Sequence, residues 1–153
     1  MSSIREQIFV AAVALLADTA GPAGLTVTRE RLRPIEKESL PAVLLYADDD
    51  APKPLAGQTY QAPLTERQLS LVVECRADAG TGPPDVALDP LLVWVTNTLI
   101  ANEKFGGLAS GIEEQRTTWL SREGEIAVAA AAVHFTVKYR TARADLTKKD
   151  PNS

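Results

Sequence analysis

Alternating apolar and polar positions mark the end of the chain most clearly. Between Glu125 and Thr141, every second residue from the first alanine onward is apolar: Ala127, Ala129, Ala131, Val133, Phe135, Val137 and Tyr139. Because successive side chains of a strand point to opposite faces, this period of two predicts a strand whose odd-numbered side chains line the core. His134, Lys138 and Arg140 fall on the other face, where we expect water or a partner. Strands usually run to about 5–6 residues, so the length of this one predicts extra surface for assembly.

The same alternation recurs in Thr65–Ala77, which places its apolar side chains on one face. Shorter apolar runs predict strands at Leu40–Tyr46 and Ile112–Arg122, the latter turning at Gly124 into the final strand. Leu25–Arg33 contains β-branched residues but carries charge on both faces, so it predicts an exposed edge strand.

Helical spacing occurs twice. Apolar residues at three- and four-residue intervals predict a first helix over Ile4–Asp18, with one of the two preceding serines as its N-cap. Its long apolar run would also suit a signal peptide, but the helical spacing and the adjacent Glu6 favour a helix. A second helix is predicted from an N-cap at Asp85 or Asp89 to about Asn102.

Two segments show neither the two-residue period of a strand nor the spacing of a helix. Residues 47–63 contain three aspartates, three prolines and a glycine, and predict a long flexible loop. Residues 142–153 are polar and predict a flexible C-terminal tail. The patterned segments follow in the order helix, three strands, helix, two strands. Residues 1–141 therefore predict a single α+β domain, a mainly antiparallel β-sheet with two amphipathic helices packed on it.

Composition narrows the class of protein. A chain of 153 residues fits one domain, and 45% hydrophobic with 24% charged residues is typical of a globular protein. The net charge of -4 is opposite in sign to a surface that binds phosphates, and aromatic residues at 5% offer few rings for base stacking. No apolar run reaches the about 20 residues that span a bilayer. We therefore expect neither direct nucleic-acid binding nor a membrane partner.

Catalytic and metal-binding patterns are sparse. His134 is the chain's single histidine, so a catalytic triad would need it beside a carboxylate of the neighbouring hairpin, from the set Glu113, Glu114, Glu123 and Glu125. Cys75 is the single cysteine, which excludes an intrachain disulfide, and we expect it in the core. Residues 48–50 are acidic but lack the spacing of an EF-hand, and no glycine-rich phosphate loop occurs. We expect no catalytic residues, no cofactor and no metal.

The order of these patterns resembles a known family. The chain reads, in turn, I-R-E-Q-I-F-V-A-A-V-A-L-L, V-T-R-E-R-L-R-P, L-P-A-V-L-L-Y-A-D, R-Q-L-S-L-V-V-E-C-R, A-L-D-P-L-L-V-W-V-T-N-T-L and V-H-F-T-V-K-Y-R-T. Across residues 4–141 this succession resembles the tail terminator proteins of long-tailed bacteriophages, the minor tail protein U type. The resemblance rests on ordered patterns such as P-A-V, R-x-L-x-L-x-V-E and F-x-V-x-Y-R rather than on a catalytic signature. The loop at 47–63 and the alanines at 129–132 have no counterpart in it.

The resemblance implies a structural subunit of the virion and no enzyme. Such a subunit caps the growing tail tube, stops its polymerisation and later forms the surface for head joining. These proteins act as rings, commonly hexamers, at the head-proximal end of the tail, and they assemble in the host cytoplasm. The implied partners are further copies of the chain, the tail tube protein and a head-completion or neck protein.

Charged residues at subunit edges would set the register of such a ring. We expect subunit or tube contacts at a basic set, an acidic set and the final strand, namely Arg29, Arg31, Arg33, Asp48, Asp49, Asp50, His134, Lys138 and Arg140. Two alternatives stay open. Another head–tail connector or neck protein would share the assembly behaviour and differ in partner. A small hydrolase or ligand-binding domain would use His134 with a hairpin carboxylate, and it predicts a pocket and turnover.

Overall fold

The computed structural model describes residues 2–29, 40–53, 63–120 and 128–149. Within these ranges two helices and five strands follow one another in the order α1 (Ile4–Asp18), β1 (Thr26–Thr28), β2 (Ala42–Lys53), β3 (Leu64–Asp78), α2 (Pro84–Ala101), β4 (Gly111–Trp119) and β5 (Val128–Ala142). The predicted fold class, a single α+β domain, is confirmed.

The strands form one sheet in the order β1-β2-β3-β5-β4. β1 pairs parallel with β2, whereas the other three pairings are antiparallel. β5 pairs with β3 over its whole length, from Val128 opposite Asp78 to Ala142 opposite Leu64. Because β3 and β4 both run antiparallel to β5, the chain crosses from β3 through α2 to β4 and then returns through β5 between them.

Both helices pack on one face of the sheet and share a core with it. The odd-numbered side chains of β5 are buried from Ala129 to Thr141, and so are those of β3 from Leu69 to Ala77. They pack against apolar side chains of the two helices, namely Ile4, Ile8, Phe9, Ala12, Leu16, Leu88, Leu91, Val95 and Leu99. The alternation in the sequence therefore predicted the core face of both long strands correctly.

The two helices begin differently. Ser3 is the N-cap of α1, because the Glu6 N–H donates to Ser3 Oγ at 3.1 Å. α2 begins at Pro84, earlier than either predicted aspartate cap, and has no side-chain cap. Proline suits the first turn because its missing N–H would have no helical partner there. Asp85 then lies in the first turn, where its charge interacts favourably with the helix dipole.

The predicted loop at 47–63 is wrong for its first part. β2 continues to Lys53 and pairs with β3, so the three aspartates at 48–50 belong to a strand. A β-bulge shifts the register within this segment. Pairing with the long β3 overrides the low strand propensity of aspartate and proline. Residues 54–62 lie outside the described residues.

β3 agrees with its predicted bounds to within one residue at each end, whereas β1 and β4 end earlier than predicted. β1 is an edge strand, as expected, but it ends at Thr28, and the positions 30–33 of the predicted strand lie outside the described residues. β4 ends at Trp119. The predicted turn at Gly124 also falls outside the described ranges.

The chain folds back onto the domain after β5. The Arg143 N–H donates to Pro63 O at 2.8 Å, and the Ile4 N–H donates to Leu146 O at 2.9 Å. The first part of the predicted flexible tail is thus hydrogen-bonded to the start of α1 and to the residue before β3. Residues 150–153 lie outside the described part of the chain.

Candidate functional site

The sheet face turned away from the helices carries two polar rows. They face each other on β3 and β5, and together they form what we call the polar face: Glu66, Gln68, Ser70, His134, Thr136, Lys138 and Arg140. These side chains are half-buried or exposed. Farther along the same side Leu44, Val72 and Ala132 are buried. The polar face is therefore a solvent-accessible part of this side.

His134 lies in the middle of the β5 row. Its Nε2 is 3.4 Å from Thr118 Oγ1. Partial burial lowers the pKa of His134, the positive charge of Arg116 lowers it further, and Asp48 acts in the opposite direction. Among the described residues, no carboxylate accepts a hydrogen bond from this ring. Of the hairpin carboxylates that the hydrolase alternative needs, Glu113 and Glu114 are described and neither bonds to this ring, whereas Glu123 and Glu125 lie outside the described residues.

The two basic residues of the polar face differ in their partners. Lys138 Nζ lies 3.2 Å from Glu113 Oε1 on β4, and both side chains are substantially exposed. An exposed pair of this kind contributes about 0–1 kcal/mol to stability. Arg140 is exposed and forms no ion pair with a described residue. Both charges are thus available to a partner that meets this face.

Arg29 is occupied within the chain. Its guanidinium donates to both carboxylate oxygens of Glu6, at 2.6 and 3.0 Å, and lies 4.2 Å from the centroid of the Phe9 ring. The hydrogen bond from Arg29 lowers the pKa of Glu6, and the same bond raises the pKa of Arg29. Arg29 therefore fastens the end of β1 to α1. Arg31 and Arg33 lie outside the described residues.

Asp50 is the centre of a buried polar cluster. Its Oδ2 accepts hydrogen bonds from Tyr139 Oη at 2.7 Å, Arg5 Nη1 at 3.1 Å and Arg67 Nε at 3.3 Å. The Asp50 side chain is 7% exposed, and its Oδ1 is buried without a hydrogen-bond partner, as is Thr141 Oγ1. Burial raises the pKa of Tyr139, and the bond to Asp50 raises it further. The cluster joins α1, β2, β3 and β5.

The other two aspartates of the run point elsewhere. Asp49 Oδ1 accepts from Ser70 Oγ at 2.8 Å, beside the polar face. Asp48 is exposed and close enough to His134 to raise its pKa. The bulge separates the three carboxylates, so they do not converge on a point. In the described ranges no three His, Cys, Asp or Glu side chains are grouped as metal ligands.

The outside of the helix layer carries an apolar surface that the sequence analysis missed. α2 exposes Val86, Val93 and Ile100, which follow at seven-residue intervals and share one side of the helix, and α1 exposes Val10. The signal was present in the sequence, because α2 has just two charged residues, both in its first two turns. A helix that is apolar all round is usually covered. Still, no helix among the described residues is long and apolar enough to cross a membrane.

The comparisons with known proteins find similar solved structures but no match in sequence. No protein-family model and no curated protein matches the chain. Among solved structures, it is similar to a chain of a structure titled "Virion of native gene transfer agent (GTA) particle", with 13% sequence identity over 89% of this chain and 90% of that chain. The TM-score is 0.47, a similarity that carries no argument about function.

Proposed function

We propose that this chain is a structural protein of a phage-type virion that caps the tail tube, ends tube polymerisation and forms the surface for head joining. The observation that carries the proposal is the succession of patterned segments over residues 4–141, which resembles the tail terminator proteins. The fold is compatible with it, since these segments form one α+β domain. The domain exposes a polar surface on the sheet side and an apolar surface on the helix side, and both types of surface suit protein contacts.

The polar face supports a contact with the end of the tube. It stands on β3 and β5, which pair along their whole length and hold its side chains in fixed rows. Lys138 and Arg140 present positive charge there, and Glu66 and Glu113 present negative charge. Charges at the rim of an interface set orientation and association rate more than affinity. We assign His134, Lys138 and Arg140 to the contact with the tube.

Contacts between neighbouring subunits would use the β1–β2 side of the sheet. We assign the exposed Asp48 and Asp49 to this contact. Arg31 and Arg33 remain predicted contacts from the sequence alone, and Arg29 is held by Glu6 within the chain. Asp50 serves the same edge indirectly, because its buried cluster fixes the bulged part of β2. A ring needs heterologous contacts that close on themselves, and we propose a hexamer. The partners of this hexamer are the tail tube protein and a head-completion or neck protein. It assembles in the host cytoplasm and then lies at the head-proximal end of the tail.

Co-sedimentation with preformed tubes tests this function. Tubes of the cognate tail tube protein are sheared to two mean lengths and mixed with the purified chain. A terminator binds tube ends, so the bound amount per mass of tube doubles when the mean length is halved. Binding in proportion to tube mass, or no binding, contradicts the proposal. Binding to a head-completion protein without binding to tubes would identify a neck or connector protein instead.

A matched pair of variants tests the assignment of the polar face. Arg140→Glu and Arg143→Glu reverse the charge of two exposed arginines that form no ion pair with a described residue. We expect Arg140→Glu to weaken tube-end binding by about tenfold or more, because it reverses a charge within the proposed contact. Arg143→Glu should bind as the unmodified protein does. Equal binding by the two variants would contradict the assignment.

A further inference from the structure

The outward side of α2 carries an apolar stripe, which we define as Val86, Val93 and Ile100. These side chains are 66%, 49% and 39% exposed. Two residues after the first two come Leu88 and Val95, which are fully buried in the core. Because an α-helix turns by about 100° per residue, a step of two residues leads to its opposite side. The stripe therefore points away from the sheet.

The residues along this side of α2 are evenly spaced about Val93. Val86 and Ile100 lie seven residues before and after it, and Asp89 and Asn97 lie four residues before and after it. Residues three or four apart are neighbours on a helix surface, so all five lie along one side. This side therefore alternates apolar and polar groups in the same order from either end.

Such spacing is self-complementary in an antiparallel pair of helices. A two-fold axis at Val93 sets this residue against its own copy, and it sets Val86 against Ile100 of the second copy. It also sets Asp89 against Asn97 of the second copy, whose amide N–H groups are donors for a carboxylate. Asp89 and Asn97 are exposed, and neither side chain bonds to a described residue. Each of the five side chains thus meets a group of suitable chemistry.

The charges at the two ends of α2 favour the same arrangement. Asp85 lies in the first turn and Lys104 follows the last turn, and both are exposed. Asp85 is eight residues before Val93 and Lys104 is eleven after it. The axis therefore leaves the two charges three residues out of line, or about 4.5 Å at about 1.5 Å per residue, and the flexible stem of lysine spans this gap. Glu103 lies about 100° from Lys104 at helical spacing, away from the stripe.

A parallel pair of helices would not offer these matches. It would bring Asp85 and Asp89 of one copy beside the same two carboxylates of the other. It would also align the two helix dipoles, so that ends of like charge meet. The positions and the charges along α2 therefore favour a second copy in the antiparallel direction.

We propose that α2 of one copy packs antiparallel on α2 of a second copy, across a two-fold axis at Val93. The contact is isologous and closes at two copies, whereas the contacts of the proposed ring are heterologous. It therefore does not rest on the tube-capping function. Obligate dimers bury about 2,000 Å² or more, which one pair of helices does not reach, so this dimer dissociates on dilution. It covers the stripe of the free subunit and exposes it to another partner when the two copies separate.

Disulfide formation in a single variant tests the position of the axis. Val93→Cys brings two thiols together at the axis, so we expect disulfide-linked dimers on mild oxidation. Val10→Cys, a thiol at a similarly exposed site on α1, is the control and should form few. Cys75 does not interfere, because it is fully buried and burial raises its pKa to about 12. Equal yields of dimer from the two variants would overturn the proposal.

A mixture of two further variants tests the direction of the helices. In the antiparallel pair Val86 lies opposite Ile100 of the second copy and about 21 Å from its own copy, at about 1.5 Å per residue. A 1:1 mixture of Val86→Cys and Ile100→Cys should therefore give mixed dimers, whereas either variant alone should give few. Dimers of Val86→Cys with itself would indicate a parallel pair and overturn the proposal.

Sedimentation velocity across a concentration series measures the association itself. Val93→Asp should weaken it by about tenfold or more, because it places two carboxylates at the axis. Val10→Asp should associate as the unmodified protein does. Both variants should keep the urea midpoint of the unmodified protein, since both side chains are exposed. An unmodified protein that is monomeric at every concentration would overturn the proposal and assign the stripe to a different protein.

Charge exchange tests the contact between the ends of the helices. Asp85→Lys and Lys104→Asp should each weaken association by about a few-fold, the size of effect expected for an exposed ion pair. The two changes combined in one chain exchange the charges and should restore most of the loss. A double variant that associates more weakly than either single variant would contradict the antiparallel pairing.

The result is separate from the test of tube binding. Val93→Cys dimers from a protein that does not bind tube ends would retain this contact and reject the tube-capping function. Binding to tube ends without these dimers would retain the capping function and overturn the contact.

Discussion

At the scale of single residues, Asp50 joins parts of the chain that are far apart in sequence. Its carboxylate receives hydrogen bonds from Arg5, Arg67 and Tyr139. In the sequence it stands in an acidic run that predicts an exposed loop, and nothing distinguishes it from Asp48 or Asp49. The bulge in β2 is what directs Asp50 inward. A bulge depends on which strand lies alongside, so the local sequence could not reveal the cluster.

Replacing Asp50 should destabilise the fold. Asp50→Ala leaves Arg67 and the Tyr139 hydroxyl without their buried acceptor, at a cost of about 3 kcal/mol in the free energy of unfolding. Asp49→Ala removes one bond from an exposed serine hydroxyl and should cost about 0.5 kcal/mol. Urea denaturation followed by circular dichroism measures both. Equal midpoints for the two variants would show that the cluster does not stabilise the domain.

His134 should make part of the stability depend on pH. Its folded pKa is lowered by burial and by Arg116, so the unfolded chain, with a pKa of about 6.5, takes up the proton more readily. Its contribution is therefore present above about pH 6.5 and is lost as the pH falls through the folded pKa. The decrease in Tm between pH 7 and pH 5 should be smaller in His134→Gln than in the unmodified protein. Thr136→Gln, a neighbour that does not titrate, should keep the full decrease; a full decrease in both would contradict the assignment.

At the scale of elements, the sequence predicted β3 and β5 along most of their length, but it predicted β2 only as far as Tyr46. Strict alternation assigned the buried faces of β3 and β5, because one side of the sheet meets the helices and the other meets solvent. β2 follows no such pattern after Tyr46, and its last residues are strand because β3 offers them a partner. α2 began earlier than predicted, since a proline pair rather than an aspartate starts it. The end of β2 therefore depends on pairing with a strand that is distant in sequence, which local propensity does not indicate.

The connection after α1 depends on a close approach between Gly21 and α2. A Cβ at Gly21 would lie 2.6 Å from Cε2 of Trp94, whose Nε1–H donates to Ala20 O at 3.0 Å. Gly21→Ala must displace the indole, and we expect a loss of about 1–3 kcal/mol in unfolding free energy. Gly82→Ala is the matched control, because its Cβ would meet Ala79 O at an ordinary 3.5 Å. A chemical-denaturation midpoint for Gly21→Ala equal to that of Gly82→Ala would contradict this account.

At the scale of the whole molecule, the domain has two chemically different exposed surfaces. One is the polar face of the sheet, and the other is the apolar outside of the helix layer. The sequence predicted the first, since polar residues alternate along β5. It did not predict the second, because helical spacing identifies the buried side of a helix but does not indicate how apolar the opposite side is. A subunit with partners on both sides would use both surfaces, as the proposed ring between tube and neck requires.

A measurement of tube length tests the central claim most directly. The purified chain is added to tail tube protein that is polymerising on its initiator, and negative-stain electron microscopy records the lengths and the ends of the tubes. We expect tubes that stop at a uniform length and carry a ring at one end. Tubes that grow as long as those without the chain, with no ring at either end, would contradict the account.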